Sequence, residues 1–329
     1  MIGSGVEIKL LIAVLIDLVL GDPQWFPHPV RLIGKLALYT ERCTRNLIYH
    51  PGIAGAITWA VVVSSTSLST YFILNIAGKI SPLMGEIIWI LIIYFGISAR
   101  DMADHSNKIY TSLSHGKIDE AGRVTAFVCS RDTHRMDENG IVRATVESIA
   151  ENTSDGVIAP IFFTLIGSSS GPVFAMVYKA INTLDSMFGY KNEQYIQFGR
   201  VSAMADDIAN YIPARITGIL FCLSAIFTGE NTAGAVRIMF RDGKKHQSPN
   251  AGIPEAAVAG ALGLRLNGPA YYSGKLVEKP FIGDHLESPH RNHIKRAMRL
   301  SIVSITLFFI TLFAFNSIIE LLKGRLFSR

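Results

Sequence analysis

Three carboxylates, Glu147, Glu151 and Asp155, stand four residues apart in the stretch Arg131–Asp155. On a helix they share one face, because residues at i and i+4 lie one above the other. Like charges at this spacing repel by roughly 0.2–0.5 kcal/mol per pair. Three in a row therefore call for counter-charge. Arg143, one turn before Glu147, supplies part of it, and a divalent metal or a cationic substrate group would supply the rest. A solvated acidic face is the plain alternative. Against it, the chain turns at Asp155-Gly156 and becomes strongly apolar, which sets this face at the mouth of something hydrophobic.

Further along, Lys179, Asn182 and Asp185 recur every three residues and are neighbours on one helical face. A lysine inside an apolar helix is a functional candidate; its alternative is to snorkel and pair with Asp185. Asp206 and Asp207 are adjacent, so on a helix they diverge by about 100° and need not share a ligand. The turn Ser248-Pro-Asn250-Ala-Gly252, leading to Glu255, is expected to offer free N–H groups suited to phosphate, or else to be a surface turn. Asp22 and His28 sit on a path made rigid by three prolines. The same loop holds Trp25 and Phe26, which fit an interfacial aromatic belt.

The elements that position these groups belong to a membrane protein. Of the 329 residues, 49% are hydrophobic and only 17% charged, and the mean hydropathy is +0.32. Soluble chains carry about 25% charged residues. The predicted fold is an all-α polytopic bundle forming a single membrane-embedded domain. Residues 1–97 hold three membrane helices, over Val6–Leu20, Ile53–Ala77 and Leu83–Ile97. Residues 98–156 form a cytoplasmic helical region, with Asp137 or Asn139 capping the helix that carries Glu147. Residues 157–299 hold broken membrane segments and active-site loops, and 300–322 the last membrane helix.

Within 157–181 the run Gly167-Ser-Ser-Ser-Gly171-Pro172 breaks an apolar segment, giving either one broken helix or a re-entrant pair. Basic Arg31, Lys35, Arg42 and Arg45 place the first connection in the cytoplasm. Putting all polar motifs on that side requires one further segment that does not span.

The net charge of +5 suits anionic lipid or anionic substrates. No basic tract with interleaved aromatics points to nucleic acid. The three cysteines form no C-x-x-C pair, so neither a zinc site nor a disulfide framework is indicated. Walker, dinucleotide-binding, H-E-x-x-H and nucleophile-elbow motifs are absent. The residues alone reach a membrane protein whose polar loops bind an anionic ligand with a divalent metal.

Several motifs reach further when taken together. They are Asp17-x-x-x-Gly21-Asp22-Pro23 with His28-Pro29-Val30, Ser130-Arg131-Asp132-Thr133, and Glu147-Ser-Ile-Ala-Glu151-Asn152-x-Ser154-Asp155-Gly156. Lys179-Ala-x-Asn182-Thr-Leu-Asp185, Gly189-Tyr190-Lys191-Asn192, Asp206-Asp207, Ser248-Pro-Asn250-x-Gly252, and Tyr272-x-Gly274 with Glu278-Lys279-Pro280 follow in order. This series closely resembles the CbiB/CobD family of cobalamin biosynthesis, over roughly Asp17 to Arg299. One departure is Met204, where a basic residue is expected two positions before the Asp pair; Arg200 is the nearby substitute.

The resemblance implies an adenosylcobinamide-phosphate synthase. Such a ligase joins adenosylcobyric acid to (R)-1-aminopropan-2-yl phosphate, or a related amino alcohol, using ATP and Mg²⁺. On that expectation Glu147, Glu151, Asp155 and Asp185 hold Mg²⁺, and Asp206, Asp207 and Lys179 are catalytic. Substrate and ATP contacts fall to Asp22, His28, Arg131, Asp132, Arg143, Asn152, Asn182, Tyr190, Lys191, Asn192, Ser248, Asn250 and Glu255. The partners are the two small-molecule substrates and membrane lipid; a homo-oligomer stays open. A transporter of an anionic solute, with a broken helix at depth, and a nucleotide-binding sensor like the AmpE proteins are the rival readings.

Overall fold

The computed structural model describes residues 5–23, 25, 27–272 and 274–327. Phe26, Ser273, Arg329 and the side chains of Lys323 and Arg325 lie outside the described residues. In chain order the helices are α1 (Val6–Leu20), α2 (Pro29–Leu47), α3 (Pro51–Ile80), α4 (Pro82–Tyr94), α5 (Ala99–Ser114), α6 (Ile118–Thr125) and α7 (Glu138–Thr153). They continue as α8 (Ala159–Gly167), α9 (Gly171–Phe188), α10 (Arg200–Ala209), α11 (Tyr211–Thr228), α12 (Thr232–Asp242), α13 (Gly252–Leu262) and α14 (Asn292–Phe327). Four short strands, β1 (Leu266–Asn267), β2 (Ala270–Tyr272), β3 (Lys275–Val277) and β4 (Phe281–Ile282), separate α13 from α14.

Among the described residues, five helical runs are long and apolar enough to cross a membrane: Pro51–Ile80, Pro82–Ser114, Glu138–Phe188, Tyr211–Thr228 and Asn292–Ser317. The chain is thus a multi-pass helical membrane protein. The first helix, α1, has 15 residues. At about 1.5 Å per residue it falls short of a hydrocarbon core about 30 Å thick. Among the described residues, two N-terminal runs have the length to span, and the expected third, α1, is shorter.

Local sequence starts several helices. Pro29, Pro51 and Pro82 open α2, α3 and α4, where the missing N–H costs nothing. Asp137 caps α7 by accepting from the Gly140 N–H at 2.8 Å. Asn231 does the same for α12 through Gly234 at 2.8 Å.

The chain forms two compact units, Met1–Arg100 with Asp155–Asn210, and Asp101–Ser154 with Tyr211–Arg329. In the first, α2, α3, α9 and α10 pack around Ile33, Ala54, Val62, Leu184, Phe188 and Phe198. Gly55 is required there: a Cβ would stand 1.8 Å from the Phe198 carbonyl oxygen. In the second, α7, α11, α12, α13 and α14 enclose Ile141, Phe221, Ile238, Val258 and Leu262. Helices α12 and α13 touch through Gly234 and Gly260, where a Cβ on either would meet the other's carbonyl oxygen at 2.5 and 2.2 Å.

The broken segment is resolved as a hairpin. Ser168–Ser170 forms a 3₁₀ turn with Ser168 at φ 49°, and α8 folds back on α9. Phe163 of α8 stacks on Tyr178 of α9 with ring centroids 5.0 Å apart. A π-helical turn, Ser154–Ile158, joins α8 to the end of α7. The Gly/Ser/Pro break thus gives two helices folded against each other, not one broken helix in line.

Candidate functional site

In the first unit, α9 and α10 build a polar centre on Asp206. Asn182 donates to Asp206 Oδ1 at 3.3 Å and reaches Asp155 Oδ2 at 3.5 Å. Asn210 donates to Asp206 Oδ2 at 3.0 Å. The Tyr178 hydroxyl in turn contacts Asn210 Oδ1 at 2.9 Å and the Asp155 carbonyl at 3.1 Å. Asp155, Asn182 and Asp206, distant in sequence, are thus brought together. Burial pushes the Asp206 carboxyl up; donation from Asn210 and Asn182 opposes this, and the Asp207 charge adds to it. Burial also raises Asp207, against the pull of Lys191.

The neighbouring residues play mixed parts. Lys179 is half-buried on α9. The carboxylate of Asp185 lies over Gly189, whose added Cβ would meet Oδ1 at 1.9 Å. Tyr190 and Lys191 are exposed, while Asn192 spends its Oδ1 on the Tyr195 N–H at 2.9 Å. Met204 and Arg200 are exposed on α10. In the same unit His28 Nε2 approaches Asp22 Oδ1 at 3.3 Å, and His28 Nδ1 caps α2 through Val30.

The second unit carries a more deeply buried centre. Arg131 pairs with Glu147 Oε2, and the Asn267 N–H donates to Glu147 Oε1 at 2.6 Å. The counter-charge on Glu147 is therefore Arg131, not Arg143, because the Ser130–Asp132 loop turns its arginine onto α7. Asp132 accepts from the Gly274 N–H at 2.7 Å and so ties the β2–β3 hairpin to that loop. Lys279 donates to the Tyr272 hydroxyl at 2.5 Å.

Glu255, in the first turn of α13, is 4% exposed, and its Oε2 has no hydrogen-bond partner among the described residues. Burial, then Glu147 and Glu151, hold its carboxyl well above the usual range, against Arg131 and Lys279. His246 Nε2 lies 4.0 Å from Glu255 Oε1. The His246 Nδ1 accepts from Ser248, which leaves the neutral ring's proton on Nε2. Burial and Lys279 lower the pKa of that ring.

At Ser248–Gly252, where a phosphate cradle is expected, several N–H groups bond within the turn: Asn250 and Ala251 donate to Ser248 Oγ at 3.2 and 3.3 Å, and Ile253 to the Asn250 carbonyl. The Asn250 side chain accepts from Arg215 at 2.8 Å. Asn152 turns its amide back on Ser148 of its own helix. Arg143 is half-buried on α7.

The four carboxylates expected to hold magnesium do not fit that role as a set. Both oxygens of Glu147 are already engaged. Among the described residues no three His, Cys, Asp or Glu side chains gather to hold a metal ion.

Sequence reasoning passed over Asn267, Tyr272, Lys279 and His246 as site residues. Asn267-Gly268 is a turn dipeptide, and both residues take positive φ, 60° and 87°. That signal was available. The partnership of Lys279 with Tyr272 and Glu255 depends on chain closure and was not.

Comparison with known proteins adds the lineage. The CobD/Cbib protein family model matches residues 10–301. A cobalamin biosynthesis protein CobD of Geobacter metallireducens is 46% identical over 84% of this chain and 86% of its own. One from Leptospira interrogans is 43% identical over 92% and 95%, and one from Clostridium perfringens 48% over 84% and 87%. No solved structure matches the chain. With that match across nearly the whole sequence, the chain belongs to the CobD/CbiB family of cobalamin biosynthesis proteins.

Proposed function

We propose that this protein is an adenosylcobinamide-phosphate synthase. It joins the free carboxylate of adenosylcobyric acid to the amine of (R)-1-aminopropan-2-yl phosphate, or a close amino-alcohol relative, at the expense of ATP. The observation that carries the reading is the buried charged centre of the second unit, where Arg131 and Glu147, both on residues of the family's motifs, pair beside Lys279 and Glu255. A membrane protein of purely structural role has no use for such a centre, whose burial is costly.

A carboxylate does not acylate an amine in water unaided. ATP first converts it to an acyl phosphate or adenylate, and cations must offset the charge that develops. Arg131 and Lys279 are the second unit's cations for this, and Lys191 with Lys179 those of the first. Magnesium is taken to arrive as the counter-ion of the nucleotide, since among the described residues no three His, Cys, Asp or Glu side chains form a ligand set. The amine arrives as an ammonium and must lose a proton before it attacks. Buried Glu255 and half-buried Asp206 and Asp207 are acceptors available, each with its pKa raised. The active-site loops are assigned to the cytoplasm, where ATP is.

The test is ligation by the purified full chain in lipid nanodiscs with ATP, Mg²⁺, adenosylcobyric acid and the amino-alcohol phosphate. Adenosylcobinamide phosphate should appear by mass spectrometry, one per ATP consumed. Nucleotide binding without product would instead favour a sensor, and solute movement without ATP consumption a transporter.

A further inference from the structure

The carboxylate of Asp206 is held by a chain of neutral groups, all within the first unit. Asn210, 1% exposed, donates through Nδ2 to Asp206 Oδ2 at 3.0 Å. Its other end, Oδ1, accepts from the Tyr178 hydroxyl at 2.9 Å. Tyr178 is fully buried, and its ring stacks on Phe163 with centroids 5.0 Å apart. The same hydroxyl reaches the Asp155 carbonyl at 3.1 Å, in the π-helical turn before α8. On the opposite oxygen, Asn182 donates to Asp206 Oδ1 at 3.3 Å.

The chain fixes direction as well as distance. While Asp206 is ionised, the ends of the Asn210 amide cannot be exchanged, because Oδ1 against the carboxylate would set two acceptors together. Tyr178 reinforces that orientation by offering its proton to Oδ1. A buried network whose members satisfy one another holds a single geometry. Both oxygens of Asp206 are thereby set in place.

The character of the donors decides what such a carboxylate can do. Arginine and lysine around a carboxylate lower its basicity. Asp242, held by Arg241 and Lys245, lies far below the usual range for that reason. Asp206 is held by two uncharged amides, and burial, the largest influence on it, keeps its carboxyl above the ordinary value. The titratable groups about it are Asp207 on its own helix, Asp155 across Asn182, Tyr178 across Asn210, and Lys191 by way of Asp207. The two amides fill two of the roughly four acceptor positions of a carboxylate. Asp206 is half-buried, which leaves it an open edge. Fixed, basic and reachable is what a general base has to be.

We propose that Tyr178 and Asn210 are positioning residues, which aim Asp206 at the ammonium of the incoming amine. This rests on the ligase reading and selects one base among its three candidates. Asp206 takes one proton from the ammonium and frees the nitrogen lone pair. As the C–N bond forms, the C–O bond to the phosphoryl or adenylyl group breaks, and the second nitrogen proton leaves with that group. Asp206 then gives its proton to water.

Ligation rates of the full chain in nanodiscs, taken across stepped pH with (R)-1-aminopropan-2-yl phosphate varied, test this. Tyr178→Phe, which deletes one oxygen, should lower kcat roughly tenfold, and Asn210→Ala roughly a hundredfold. KM for the amine should stay as it is. Each variant weakens donation to the ionised carboxylate, so the acidic limb of kcat/KM should move to higher pH, further in Asn210→Ala. A second readout needs no turnover. The infrared band of the protonated Asp206 carboxyl, identified by its loss in Asp206→Asn, should titrate at higher pH in both variants of the detergent-purified chain. Should Asn210→Ala fail to fold, Tyr178→Phe carries the same two readouts. Limb and band unmoved in the variants overturn the proposal. So does a fall in kcat that comes with a lower melting temperature while limb and band stay in place, the mark of a purely structural role. The two levels come apart in the wild type. A wild-type chain that makes no product sinks the ligase reading whatever the band does, whereas product made with an unmoved limb in the variants sinks the positioning alone.

Discussion

Asn267 donates its backbone N–H to Glu147 Oε1 at 2.6 Å across 120 residues of sequence, and does so from a left-handed backbone with φ 60°. Arg131 holds the other oxygen of the same carboxylate. Three distant segments therefore meet on one side chain. Glu147→Gln should leave the Arg131 charge uncompensated in a poorly solvated place. The cost of breaking such a pair is roughly 3–5 kcal/mol. Denaturant unfolding in detergent should register that loss, and Arg131→Met with Glu147→Gln together should recover part of it. If the single variant unfolds like the wild type, the pair does not organise the centre.

Asp242 is a second buried carboxylate, but one saturated with donors. Arg241 bonds it at 2.7 and 2.8 Å, Lys245 at 2.7 Å, and the Gly283 N–H at 2.9 Å. The Arg241 bonds, ahead of those from Lys245 and Gly283, hold its carboxyl far below the usual range. A depressed folded pKa contributes stability that is complete above the unfolded pKa near 4 and lost as pH falls toward the folded value. Asp242→Asn should lower stability at pH 7 by on the order of 2–3 kcal/mol. Its melting temperature should also fall less than the wild type's between pH 5 and 3, as thermal scans at stepped pH would record.

Asp206 carries the opposite sign. Its folded pKa is raised, chiefly by burial. The neutral form's advantage is complete below the unfolded pKa near 4 and is lost as pH climbs through the folded value. Replacing Asp206 by Asn keeps the shape and removes the charge. The variant should hold its melting temperature as pH rises from 4 to 8, while the wild type loses ground. Parallel curves for the two proteins would mean that Asp206 is as ionised when folded as when unfolded.

What the sequence disclosed follows the range of the interaction. Asp137 could be read as a cap because it acts three residues away, on Gly140. The break at Ser168–Ser170 was visible because Gly167, Gly171 and Pro172 disfavour a continuous helix. The boundaries of α3 and α11 were set by hydropathy and prolines close at hand. Arg143 looked like the partner of Glu147 by helical spacing, yet Arg131 reaches it from a loop that only the folded chain positions. Free N–H groups expected after Ser248 were consumed by the Ser248 hydroxyl itself, a choice of side-chain rotamer that composition does not fix. Asn267 reaches Glu147 from β1, which pairs with β4 after the chain has folded back. Long-range closure of that kind leaves no periodic trace.

The α8–α9 hairpin makes a topological claim that labelling can check. Ser98 donates to the Gly156 carbonyl at 3.0 Å, so it marks the start of the hairpin, while Glu193 lies just past its end. If the chain reverses at Ser168–Ser170, both markers face one side of the bilayer. If it crosses once, they face opposite sides. With Cys43, Cys129 and Cys222 replaced by Ser, Ser98→Cys and Glu193→Cys should react with an impermeant maleimide from the same face of oriented vesicles. Labelling from opposite faces would unmake the hairpin, and with it the placement of Asn182 beside Asp155 on which the first polar centre depends.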